Sequence, residues 1–196
     1  MHLVFDILQG IGIAAAVGIR PFLPALVVGA LAAGDIQIDF KGSNFAFLQG
    51  VPFLAVMVLG AILIALAQRR LGQDRLDRGP LAIALGAVAV VVAALLFAGS
   101  LAQDHYLSWP GYIGGALCAA VGIAATRPLL ARVRARLDAG SAAALPLYAE
   151  AGALLAAALS VLAPPVGLVV LALLLWLLVA GRGREQQKYA GLRILR

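Results

Sequence analysis

The sequence predicts an all-α, polytopic membrane bundle of about six transmembrane helices, and three observations lead there. Of its 196 residues, 63% are hydrophobic and only 12% charged, about half the charge that a water-facing globular domain carries. Several apolar runs reach the ~18 to 20 residues needed to cross a ~30 Å hydrocarbon core. The basic residues also fall in alternate loops, the pattern that topology imposes on lysine and arginine.

The apolar runs, bounded by charge, Gly and Pro, are 3–33 (interrupted), 51–68, 80–101, 110–131, 144–163 and 164–181. The first begins Met1-His2-Leu3-Val4-Phe5-Asp6, with no positive leader region, and runs past signal-peptide length, so it is expected to be a retained span. The second ends at Arg69, Arg70, Arg75 and Arg78; the fourth ends at Arg132, Arg134 and Arg136. Trp109, Tyr106 and Tyr112 flank the start of the fourth span and Trp176 lies in the sixth, as interfacial anchors. Ala163-Pro164-Pro165 leaves the fifth and sixth spans almost no connection, which requires an antiparallel hairpin. A basic tail, 182–196, carries Arg182, Arg184, Lys188, Arg193 and Arg196. With six spans, twelve of the fifteen basic residues lie on one side, opposite Lys41, Asp35, Asp39 and Asp104. Short loops rich in Lys and Arg stay inside, so both termini are expected to be cytoplasmic. The whole chain, 1–196, reads as one membrane domain.

The same placement bears on function. The net charge of +6 is explained by topology and contact with anionic lipid, and no aromatics interleave the arginines to stack bases, so nucleic acid is excluded as a partner. The lipid bilayer is the expected partner, with an anionic lipid or small anion as ligand and a homo-oligomer left open. Cys118 is the only cysteine and lies in an apolar run, and Asp104-His105 lacks a third ligand, so no metal or cofactor is expected. The spans hold no H-x-x-x-H, no paired carboxylates and no Ser-His constellation, which argues against an enzyme.

The candidate site is the stretch Gly18-Ile19-Arg20-Pro21-Phe22-Leu23-Pro24. Pro21 and Pro24 each remove a backbone donor, and Gly18 tolerates unusual conformations, so the first span is expected to break between Arg20 and Pro24. The freed carbonyls must be buried in protein or line a wet cavity. Arginine at mid-span costs about 3 kcal/mol on insertion scales and needs a partner. Glu150 is the acidic residue best placed to supply one, well inside the fifth span. Two readings stand: a polar site in which Arg20 holds a carboxylate or phosphate by its planar fork, or an internal ion pair that fixes helix register. Arg127, near the inner end of the fourth span, either joins the site or snorkels to the headgroups.

An internal likeness adds to the transport reading. AAVGI occurs at 15–19 and 119–123, each soon followed by Arg-Pro, at Arg20-Pro21 and Arg127-Pro128. Half-repeats 1–101 and 110–196 with three spans each would be oppositely oriented, the inverted-repeat plan of many secondary transporters; a chance likeness between Ala-rich helices is the other reading. Together these features predict a transporter- or flippase-like membrane protein, with a non-transporting scaffold or accessory subunit as the alternative.

GIAAAVGIRPFLPALVVGALAAG (12–34), the FAFL…P stretch leading into the second span, and GYIGGALCAAVG (111–122) resemble the bacterial membrane proteins grouped as domain of unknown function 4126. The sharpest match is G-L-R-A-F-L-P, met here by Gly18, Arg20, Phe22, Leu23 and Pro24. The resemblance implies a bacterial inner-membrane protein with no assigned activity, and an acidic partner in the fifth span, where Glu150 stands. Where the family has E-x-x-x-D-K-x-P, this chain has Ile64, Gln68, Arg69 and Leu71, so any activity of that cluster is expected to be missing.

Overall fold

A computed structural model describes residues 2–71 and 79–190. The expectations for Arg75, Arg78, Arg193 and Arg196, and for the side chains of Arg182, Arg184 and Lys188, lie outside the described residues. The described chain is all-helical: α1 (His2–Ile19), α2 (Phe22–Ala33), a 3-10 turn (Ala46–Gln49), α3 (Val51–Leu71), α4 (Pro80–Ala102), α5 (Trp109–Arg134), α6 (Ala139–Leu162) and α7 (Pro165–Ala190). Among the described residues, five helices are long and apolar enough to cross a membrane: α1, α3, α4, α5 and the part of α6 from Gly140. Phe22–Ala33 and the apolar part of α7, Pro165–Gly181, are shorter.

The break in the first run is where the sequence places it, but the chain does not continue across the bundle. Arg20 makes the last helical bond of α1, to Ala16, and Pro21 has no N–H to offer Val17, so the ladder stops. Pro24 then sits in the first turn of α2, where a missing donor costs nothing; it does not add the second break expected from it. The chain reverses at Arg20-Pro21. Gln9 Nε2, in α1, donates to the Gln37 carbonyl beyond α2 at 3.2 Å, a contact closed to a span that kept its direction, since α2 is about 18 Å long.

α1 and α2 therefore form a hairpin whose tip stops inside the bundle. Phe22 fills the space beside Gly60, midway along α3, and Arg20 meets Glu150, midway along α6. The open end of the hairpin shares one end of the molecule with Asp35, residues 37–39, Lys41, Gln103-Asp104 and Pro164, since all of these line one cavity with His2 and Asp6. This acidic end is opposite the arginine end, where α3 and α5 finish and α4 and α6 begin. Among the described residues the first helix starts at the acidic end and α7 finishes at the other, so the expectation of both termini on one side finds no support in the fold. Counting 3–33 as a single crossing is what produced it.

The inverted repeat finds no support for the same reason. α4 and α5 are antiparallel, with Gly111 against Ala98 and Gly115 against Ala93, while Phe97 also meets Gly10 and Gly114. The two AAVGI copies consequently run in the same direction, side by side: a methyl placed on Gly122 would lie 2.6 Å from the Ala15 carbonyl oxygen.

α1 is the centre of the bundle, packed on α4, α5, α6 and α7. Ile13 through Val17 are wholly buried. Its Gly and Ala residues let neighbouring backbones approach closely, and the resulting dispersion contacts are what holds helices together where lipid removes the hydrophobic drive. At the opposite extreme, α3 packs chiefly on α2 and the 3-10 turn and leaves Val56, Leu59, Ile62, Leu63 and Leu66 outward, a surface suited to lipid.

Candidate functional site

The tip of the hairpin gathers five of the six residues singled out in the sequence. Gly18, Arg20, Pro21, Arg127 and Glu150 line a cavity of about 70 Å³, together with Thr126 and apolar side chains of α3, α4 and α5. Pro24 is buried in α2 but does not line it. Gly18 brings α1 against the backbone of Ala119, where a methyl would come within 2.4 Å of the carbonyl oxygen, and so places Arg20 beside the lower half of α5.

Arg20 Nε lies 3.6 Å from Glu150 Oε1, with side-chain exposures of 15% and 22%. That is an ion pair without a direct hydrogen bond, and Arg20 Nε is buried with no hydrogen-bond partner. Arg127 lines the cavity but is itself exposed, and it reaches toward the arginine end, where α4 begins. Its Nη2 donates to the Ala82 carbonyl of α4 at 2.7 Å, in space that Gly86 leaves open, since a methyl there would sit 3.0 Å from the same nitrogen. Thr126 Oγ1 is committed to the Gly122 carbonyl at 2.6 Å.

The lining therefore holds two guanidinium groups against one carboxylate. Its volume suits about two waters, at ~30 Å³ each, and falls well short of the ~300 Å³ at which small-molecule pockets begin. A small anion or a single headgroup-sized group matches it; a larger ligand needs the hairpin to move.

Sequence reasoning missed a second polar cluster, at the other end of α1. Asp6 and Gln9 are both buried. Gln103 Nε2 donates to Asp6 Oδ1 at 2.7 Å, and Gln9 Nε2 donates to the carbonyls of Gln37 and Val161. The available signal was two polar residues three apart on an otherwise apolar helix, which puts both on one face. Asp104 lies within 3.8 Å of His2, and no group of three metal-ligating side chains forms among the described residues.

No protein-family profile, curated protein or solved structure matches this chain. Its fold and its sites rest on its own residues.

Proposed function

We propose that this multi-pass membrane protein is transporter- or flippase-like and holds an anionic or phosphate-bearing group at the tip of the α1–α2 hairpin. One observation carries the reading: a cavity between the hairpin tip and the arginine end, lined by Arg20, Arg127 and Glu150, in which Arg20 Nε is buried with no hydrogen-bond partner. A buried guanidinium donor is costly unless an acceptor answers it, and an anion drawn in by the exposed Arg127 would supply one. Arg20 presents the planar fork that suits carboxylate or phosphate, with Arg127 as the second cation and Glu150 as counter-ion or proton carrier. The proposed role involves no catalysis.

The positive-inside rule makes the arginine end cytoplasmic, so His2 and the acidic end face outward, in a bacterial inner membrane if the likeness at Gly18 to Pro24 reflects membership of the family named above. The small size of the cavity favours a second reading, in which the Arg20–Glu150 pair only holds a non-transporting scaffold together.

Purified protein in liposomes, followed by thermal unfolding with inorganic phosphate, sulfate and phosphatidate as probes, separates the two. Saturable stabilisation that disappears in Arg20→Ala and weakens in Arg127→Ala supports the anion site. A transition unmoved by every anion, with Arg20→Ala lowering stability alone, leaves the scaffold.

A further inference from the structure

The cavity at the acidic end, about 590 Å³, is eightfold larger than the one at the hairpin tip and of the opposite charge. It plays no part in the anion reading. Asp6, Gln9, Asp35, Asp39, Gln103 and Asp104 line it. Two of its carboxylates have cations close by: Asp35 is paired with Lys41, and Asp104 faces His2, which is charged only when protonated. Asp39 turns one oxygen to the Lys41 backbone N–H at 2.8 Å.

Asp6 is the decisive residue. Only 5% of it is exposed, Gln103 satisfies Oδ1, and Oδ2 is buried with no hydrogen-bond partner. An unsatisfied carboxylate oxygen at that depth costs roughly 1 to 3 kcal/mol or more unless something supplies a donor. Gln9 and Gln103 fix the surroundings by bonding to the backbone at Gln37, Val161 and Asp39, so the cavity wall is built from α1, α4, the turn before α7 and the chain after α2.

We propose that this cavity binds a small organic cation bearing a primary ammonium group, which donates to Asp6 Oδ2 and is balanced by Asp39 and Asp104. The volume falls within the ~300 to 1,000 Å³ of small-molecule pockets. A bare metal ion is disfavoured because, among the described residues, no three acidic, His or Cys side chains gather as a ligand set. Carboxylates spread around a wide pocket instead match a ligand with N–H donors and some length.

The test uses the full chain in detergent or nanodiscs, titrated with putrescine and, at matched ionic strength, with MgCl2, and read by thermal unfolding and calorimetry. The expected result is a saturable response to putrescine, little response to Mg2+, and an affinity about tenfold or more weaker in Asp6→Asn, as for loss of a charge-assisted hydrogen bond. If Asp6→Asn does not fold, Asp39→Asn, in the loop after α2, gives the same readout. The proposal is overturned by no saturable response, by an equal response to Mg2+, or by unchanged affinity in these variants.

Discussion

Removing either member of the Arg20–Glu150 pair is expected to be more harmful than removing both. At their 3.6 Å separation, Coulomb's law with an effective dielectric of about 20 gives about 4.6 kcal/mol between unit charges. The two members are not equivalent. Arg20→Met leaves a carboxyl that can take up a proton, whereas Glu150→Gln leaves a guanidinium that cannot lose one, with Arg127 lining the same cavity. Glu150→Gln should therefore cost about 3 to 5 kcal/mol, as for a buried charge left alone, and Arg20→Met about 2 kcal/mol. The double variant should return to within about 1 kcal/mol of wild type, a coupling of about 4 kcal/mol or more. Heat or dodecyl sulfate unfolding in mild detergent measures all four proteins, with roughly 2 to 4 °C of Tm per kcal/mol for a chain of this size. Single losses that add within about 0.5 kcal/mol would refute the reasoning, since that is how non-interacting sites behave.

Further expectations concern packing, topology and capping. Gly18→Ala should cost about 1 to 3 kcal/mol because its methyl meets the Ala119 backbone, whereas Gly152→Ala, with nothing nearby, should stabilise α6 by up to about 1 kcal/mol; melting curves give both. In a Cys118→Ala background, His2→Cys and Lys41→Cys should react with a membrane-impermeant thiol reagent from one face and Arg136→Cys from the other, and labelling of His2→Cys and Lys41→Cys from opposite faces would rule out the hairpin. Gln9→Leu should cost about 1 to 3 kcal/mol by leaving the Gln37 and Val161 carbonyls without their donor, measured as a drop in Tm. Asp138 caps α6 through the Ser141 N–H at 3.1 Å, and hydrogen bonding from the Ser141 side chain, with this N–H second, holds its carboxyl below the ordinary value of 3.8. Its contribution is complete above about pH 3.8 and fades as pH falls through the lower folded value. Amide exchange at Ser141 should follow that course in wild type and lose it in Asp138→Asn.

The membrane class and the rupture at Arg20-Pro21 were legible because each follows from local chemistry: composition for one, a missing donor for the other. The partnership of Arg20 with Glu150 was legible as well, since few acidic residues lie inside the apolar runs. The direction in which the chain leaves the rupture was not. Proline ends a hydrogen-bond ladder but does not set the angle that follows, and here the close approach of Gly18 to Ala119 and of Phe22 to Gly60 turns α2 back. That one undetermined angle carried the side of the N-terminus and the sense of the AAVGI copies with it. Arg127 was ambiguous because snorkelling and lining the cavity need the same side chain, and in the fold it does both: it is exposed, yet it lines the cavity beside Gly86.

The enclosed position of the second half of α1, from Gly12 to Gly18, also constrains how the protein is made. Of the seven helices it leaves the ribosome first, yet most of what surrounds it is synthesised last, with α6 and α7 completing the ring. At ~5 to 20 residues per second, Arg20 spends roughly 6 to 26 s waiting for Glu150 to be polymerised. During that interval the guanidinium depends on the insertion machinery, on water or on lipid phosphate, which makes biogenesis, more than the finished assembly, the stage most exposed to damage at this residue.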